Sequence, residues 1–156
     1  MSRAKRRFLT KATQNVDNVC YSSNIYKLCK FNFHYFQFND EQSFSFDGKN
    51  YAVLEDFITK LKSFSSQSIE EWIRDDNYKE YGGFPEHSKL KLPKSIPSDV
   101  LWGRFRLSGI VRLAGFRVPG NIHNEGIDRS DHFFDKNTFY VVFLDLNHDF
   151  YPVKPR

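Results

Sequence analysis

The stretch Arg104-Phe105-Arg106-Leu107-Ser108-Gly109-Ile110-Val111-Arg112-Leu113-Ala114-Gly115-Phe116-Arg117 decides the fold. It reads as a β-hairpin with one basic face. With Ser108-Gly109-Ile110 as a three-residue turn, Arg106 falls opposite Arg112, Leu107 opposite Val111 and Phe105 opposite Leu113. Opposed residues share a face of a sheet, so Arg104, Arg106 and Arg112 gather on one side and the apolar side chains on the other. A two-residue turn would set arginine against valine, so the apolar pattern selects the three-residue register. Like charges directly opposite are destabilising. A hairpin that keeps them points to an anionic ligand.

Upstream, residues 30–39 (KFNFHYFQFN) alternate as a strand, and Phe44-Ser45-Phe46 before Asp47-Gly48 reads as a second, short one. Residues 51–63 predict a helix, with Val53, Leu54, Phe57, Ile58 and Leu61 as one apolar stripe. Ser68-Ile69-Glu70-Glu71 is a capping-box pattern opening a short helix near Ile69–Arg74. Residues 75–98 hold Gly82-Gly83 and three prolines and read as loop. Thr138–Asp145 is apolar on both faces and predicts a buried, central strand. Asn147-His148 reads as a turn and Phe150-Tyr151 as the start of a last edge strand. The expected fold is α+β: a twisted, mostly antiparallel sheet of four or five strands with two helices on one face. Residues 1–24 read as a basic arm and residues 25–156 as a single domain.

The chain has 156 residues, a net charge of +4 and 17% aromatic content. That length suits one domain with its own core. Residues 1–30 carry seven Lys/Arg against one acid, and residues 84–118 carry seven against two. The basic character therefore sits in the arm and around the hairpin, which leans toward anionic partners. Cys20 and Cys29 are too few for a disulfide scaffold and match no zinc spacing, so two free thiols in a reducing cytoplasm are expected. No signal peptide is recognised, and no run approaches the roughly 18 apolar residues of a membrane span. His123, Glu125, Asp128, Asp131 and His132 share a polar loop without regular spacing, so no metal site is expected there. The phenylalanines of residues 31–38 can be read as base-stacking rings or as core, and a domain of this size needs them inside.

The order of elements narrows the reading. An arginine hairpin, Arg104-Phe-Arg106-Leu-Ser-Gly-Ile-Val-Arg112-Leu, precedes an apolar strand that runs on through Asp145 and His148 to Tyr151. This arrangement resembles the RelE/ParE toxin superfamily, in particular ribonucleases of the RelE, YoeB and HigB type. The resemblance covers the last third of the chain well and the helices loosely. The chain is longer than such toxins, and residues 119–137 lengthen a loop that is short in them. The resemblance implies a toxin-like endoribonuclease that cleaves mRNA, at the ribosome or free of it, without metal or other cofactor. It also implies a cognate antitoxin as partner. On this reading Arg112, His148 and Tyr151 are the catalytic candidates, and Arg104, Arg106, Arg117, Lys89 and Lys91 the RNA-binding ones. Attack of a 2′-hydroxyl on its own phosphate needs charge neutralisation and proton transfer. Arginine holds phosphate bidentately, and histidine and tyrosine can move a proton. A non-catalytic RNA- or protein-binding module on the same scaffold, in phage defence or regulation, fits the residues as well.

Overall fold

The computed structural model describes residues 22–37, 51–120 and 134–153. A 3-10 turn at Ile25–Lys27 leads into β1 (Lys30–Asn32). Helices α1 (Tyr51–Phe64) and α2 (Ile69–Arg74) follow, then β2 (Tyr78–Gly82), β3 (Leu101–Arg106), β4 (Arg112–Arg117) and β5 (Thr138–Asp145). They form one open sheet in the order β1-β5-β4-β3-β2. β1 runs parallel to β5, and the remaining pairs are antiparallel. The α+β architecture is as the sequence predicts.

The hairpin adopts the register that the apolar pattern selects. Arg106 pairs with Arg112 and Phe105 with Leu113, and the Leu107 amide donates to the Val111 carbonyl at 3.1 Å. Gly109 holds φ +55° at the turn, a left-handed conformation that glycine adopts without steric penalty. Both helices pack on the face that carries Phe105, Leu113, Phe139, Val141 and Leu144, through Phe57, Phe64, Ile69 and Trp72. The Phe105 ring is the centre of this layer, with Phe64, Tyr78, Phe139 and Phe31 rings at 4.6, 4.8, 5.1 and 5.6 Å. Burying each such ring contributes about 1.5–3 kcal/mol. The capping box forms as expected: the Glu71 amide donates to Ser68 Oγ at 3.2 Å, and the Ser68 amide to Glu71 Oε2 at 2.8 Å. Trp72 Nε1 donates to the Phe64 carbonyl at 2.7 Å, which ties α2 to an otherwise open carbonyl at the end of α1. Cys29 is buried and free, and burial pushes its thiol up to about 12, against the nearby Lys30 charge.

Four local expectations change. The first strand stops at Asn32; the chain turns over Phe33–Phe36 and returns to β5, where the Gln37 amide donates to the Val142 carbonyl at 3.0 Å. Ile58 lies outside the apolar stripe of α1 and is exposed. Residues 78–82 are a strand, not loop, because Tyr78 and Glu80 alternate with Lys79 and Tyr81 before the glycines begin. Phe150 and Tyr151 form no strand; Phe150 instead inserts fully into the core of the second face. Residues 1–21 of the basic arm (1–24), the segment at Phe44 and Phe46 and the polar residues 121–133 lie outside the described residues.

The second face of the sheet is half covered. Leu90, Ile96, Val100 and Phe84 from the β2–β3 connection, with Phe150 and Tyr35, pack on Trp102, Ala114, Phe116, Val142 and Phe143. The hairpin end of that face, with Arg104, Arg106 and Arg112, is left outside this layer.

A β-bulge decides what joins the arginines. Register shifts between Ala114 and Gly115, so Ala114 pairs with Phe143 but Gly115 with Val141. Val141 and Leu144 then face the helices while Val142 and Phe143 face the other way. Strict alternation from Phe139 would send Asp145 to the helix side. The bulge instead sets Asp145 directly opposite Arg112. Gly115 permits it: a Cβ there would lie 2.0 Å from the Tyr140 carbonyl oxygen and 2.9 Å from the Phe139 ring. Gly115→Ala should therefore destabilise the fold by about 3 kcal/mol, because the nearest obstacle is backbone and cannot swing aside. Thermal or denaturant unfolding measures this, and an unchanged midpoint would show that the bulge does not depend on this glycine.

Candidate functional site

The site is built from the end of β3, the start of β4, the middle of β2 and the turn after β5. Arg104, Arg106 and Arg112 line one shallow depression together with Lys79, Asn77 and Asp76. Asp76 pairs with Arg106 at 3.3 Å, but both side chains are more than half exposed, so the pair contributes little. Arg112 is half-buried. Its Nη1 donates to the Gly109 and Val111 carbonyls at 2.7 and 2.8 Å, and its Nε is buried without a partner. The Arg112 guanidinium sits below its usual pKa, through burial first and then through the charges of Arg104 and Arg106; Asp145 and Tyr81 act the other way. It stays protonated throughout the physiological range. The depression thus concentrates positive charge that its own side chains only partly offset.

Arg104 organises the neighbouring groups. Its Nε donates to the Tyr81 hydroxyl at 2.6 Å, and its Nη1 lies 2.8 Å from His148 Nε2. A guanidinium carries only donors, so His148 Nε2 accepts and the imidazole proton rests on Nδ1. Burial raises the Tyr81 hydroxyl above its ordinary pKa, and the Arg104 charge and hydrogen bond pull it down in part. Tyr151 stacks on Tyr81, ring centres 4.5 Å apart and planes 13° from parallel.

Asp145 sets the turn that delivers His148. It is 3% exposed, and its carboxylate accepts the amides of Asn147 (3.2 Å), Asp149 (2.9 Å) and Phe150 (2.8 Å). Between those amides His148 takes φ +61°, a left-handed backbone that is uncommon for histidine. Such strain persists only where the surroundings over-determine it. Here the bulge-placed carboxylate and the buried Phe150 ring do so.

The structure brings Arg104, Arg106, Arg112, His148 and Tyr151 into one region, with Arg104 and not Arg112 as the partner of His148. Arg117 does not join them. It projects beneath the helix face, 8% exposed, with Nε and Nη2 on Glu80 at 2.6 and 3.2 Å and Nη1 on Glu70 at 3.0 Å. Burial lowers its pKa, but the Glu80 bond and charge outweigh that and leave it raised. Lys89 lies beside the His148 turn and pairs with Asp149 at 3.1 Å, while Lys91 is an exposed residue further along that connection. Lys79, Tyr81 and Asp145 belong to the site although the sequence reading assigns them no role in it. The Lys79/Tyr81 alternation was the available signal for the first two, and the bulge hid the third. Among the described residues no helix is long and apolar enough to cross a membrane. Comparison with protein-family models, with curated proteins and with solved structures gives no match.

Proposed function

We propose that this protein binds RNA on the Arg104–Arg106–Arg112 face and cleaves it without a metal, as the resemblance to RelE-type toxins implies. The observation that carries the reading is the Arg104 bridge, which holds a histidine at the rim of an arginine-lined depression. A phosphate seated there would displace Arg104 from His148 Nε2 and free that nitrogen to accept the 2′-hydroxyl proton. Arg112 and Arg104 would offset the charge that develops on the phosphate during attack. Cleavage would leave a 2′,3′-cyclic phosphate, and the proton taken up by His148 would pass to the departing 5′-oxygen to give a free 5′-hydroxyl. The natural substrate on this reading is mRNA, at the ribosome or free, and a cognate antitoxin would cover the same face.

A second reading has its own support. In the structure His148 Nε2 is already occupied by Arg104, which suits a binding module that never deprotonates its ligand. The two readings separate in one experiment. Single-stranded RNA is incubated with the intact chain in excess chelator, and binding and end groups are followed. Cyclic-phosphate ends support the nuclease, and binding without cleavage, with or without ribosomes, supports the module. Either way, engaging about three phosphates should give a log–log salt slope near −2. Binding that is insensitive to salt would remove the basic face from both readings.

A further inference from the structure

On the helix side of the sheet, α1 and the hairpin turn leave a cavity of about 260 Å³ between them. Buried Phe57, Leu107 and Leu144 form its floor, and Ala52, Asp56, Ser108 and Val111 its more open rim. Ala52 contributes only a methyl group, where a longer side chain would close the gap. Asp56 is the one charged residue of the lining. Its Oδ2 accepts from Ser108 Oγ at 2.5 Å, and among the described residues no Lys or Arg pairs with it. That is notable in a chain of net charge +4, beside a hairpin that carries Arg106 and Arg112. Those arginines line the depression on the opposite face and leave the carboxylate unmatched. A half-buried carboxylate at the mouth of an apolar cavity complements one kind of ligand, a cation on a hydrocarbon body.

We propose that this cavity binds a small amphiphilic amine, with its ammonium at Asp56 and its hydrocarbon against Phe57, Leu107, Val111 and Leu144. Binding sites for small molecules have this make-up: mostly apolar walls and a few polar groups that fix orientation. Water held against such walls finds few partners, so its replacement by hydrocarbon is favourable. The volume accepts on the order of eight groups at ~30 Å³ each, which admits a chain of about six carbons with its ammonium. A charge-assisted hydrogen bond to Asp56 is stronger than one from a neutral hydroxyl, so the carboxylate selects the amine over the alcohol of the same length. Ser108 Oγ competes for that carboxylate and works against the ligand. The site lies on the far side of the sheet from the arginine face and holds whether or not RNA binds there.

The test titrates the intact chain with n-hexylammonium and, separately, with n-hexanol, and follows backbone amide signals by NMR. Hexylammonium should bind with a Kd on the order of 1 mM, well inside the per-atom ceiling for so small a ligand, so titration to about 10 mM covers it. The shifts should centre on Leu107, Ser108, Val111 and the first turns of α1. Hexanol should bind at least ~10-fold more weakly. Asp56→Asn should bring hexylammonium down to the level of hexanol, and Ser108→Ala should tighten it by up to ~5-fold, since one competing hydrogen bond is gone. Ala52→Phe should fill the cavity and abolish binding of both probes. Asp56→Asn keeps the size of the side chain and an acceptor for Ser108, so it decides the matter if Ala52→Phe proves less stable than the parent. Equal binding of amine and alcohol would overturn the role of Asp56 and with it the proposal. Hexylammonium binding that Asp56→Asn leaves intact, or shifts confined to other surfaces, would place the amine elsewhere and overturn it too. No saturable shift with either probe would show that the cavity takes no ligand of this class.

Discussion

Replacing Asp145 with alanine should lower stability by about 4 kcal/mol and displace His148 from Arg104. The carboxylate is buried and accepts three backbone amides, those of Asn147, Asp149 and Phe150. A hydrogen bond to a charged group contributes about 1.5–3 kcal/mol, and a buried donor left unmade costs a similar amount. The Phe150 amide is the most enclosed of the three. Its loss also loosens the ring that packs against Trp102 and Phe84 at 5.9 and 5.7 Å. The three contributions overlap, since one rearranged turn releases all the amides together, so the total stays near a single strong network. Asp145→Asn gives an intermediate result of about 2 kcal/mol. Its amide oxygen can serve Asn147 and Asp149, but its NH₂ would face the Phe150 amide, donor against donor. Urea unfolding reads both numbers. A fall below about 1 kcal/mol for Asp145→Ala would mean that water satisfies those amides equally well and that the turn needs no carboxylate. RNA binding by the variant then tells whether the arginines suffice without His148, because Arg104 would keep only Tyr81.

The hairpin was legible because its information is local and redundant. Arginine spacing, apolar spacing and the glycine at the turn all select one register, and a slip by one residue would bury charge. The capping box at Ser68 and the apolar run of Thr138–Asp145 were legible for the same reason: each is fixed by its own residues. β2 was missed because the glycines and prolines that follow it outweighed a four-residue alternation. Phe150 was misplaced because an aromatic after a turn suits an edge strand and a core plug equally, and only the space left over Trp102 separates them. The bulge at Gly115 is the deeper gap. It depends on how closely β5 approaches β4, a property of two strands and not of either sequence alone. That single shift brings Asp145 to the arginine face. So the arginines, His148 and Tyr151 were found in the sequence as separate candidates, while the group that arranges them was not. Arg117 shows the converse error. It lies in the same arginine-rich run, but the alternation of β4 sends it to the helix side with Glu70 and Glu80.

On the nuclease reading, expression of the intact chain should slow growth and leave cut mRNA, and Arg112→Ala or His148→Ala should each relieve both effects. Losing a donor that stabilises a developing oxyanion lowers turnover ~10²- to 10³-fold, and losing the proton-transfer group does so by a similar factor. The two losses should not add fully, since on that reading both act on one proton transfer at one phosphate. Arg112 also ties down the turn through the Gly109 and Val111 carbonyls, so Arg112→Ala should cost about 1 kcal/mol of stability besides. Arg112→Lys separates the effects: it keeps the charge but lacks the planar fork, so activity should return only in part. At position 148, asparagine is the safer probe, because it tolerates the positive φ of that residue while removing the imidazole. His148→Asn should therefore stay as stable as the parent and still fail to cut RNA. Arg104→Ala should lose activity as well, by removing a phosphate contact and leaving His148 and Tyr81 unlinked. Cleavage rates on one RNA substrate, with unfolding midpoints beside them, give the comparison. A His148→Asn protein that cuts at the parental rate would exclude the imidazole from the chemistry. An intact chain that is harmless and leaves RNA whole even with ribosomes present would sink the nuclease, and salt-dependent RNA binding by that same protein would leave the binding module in its place.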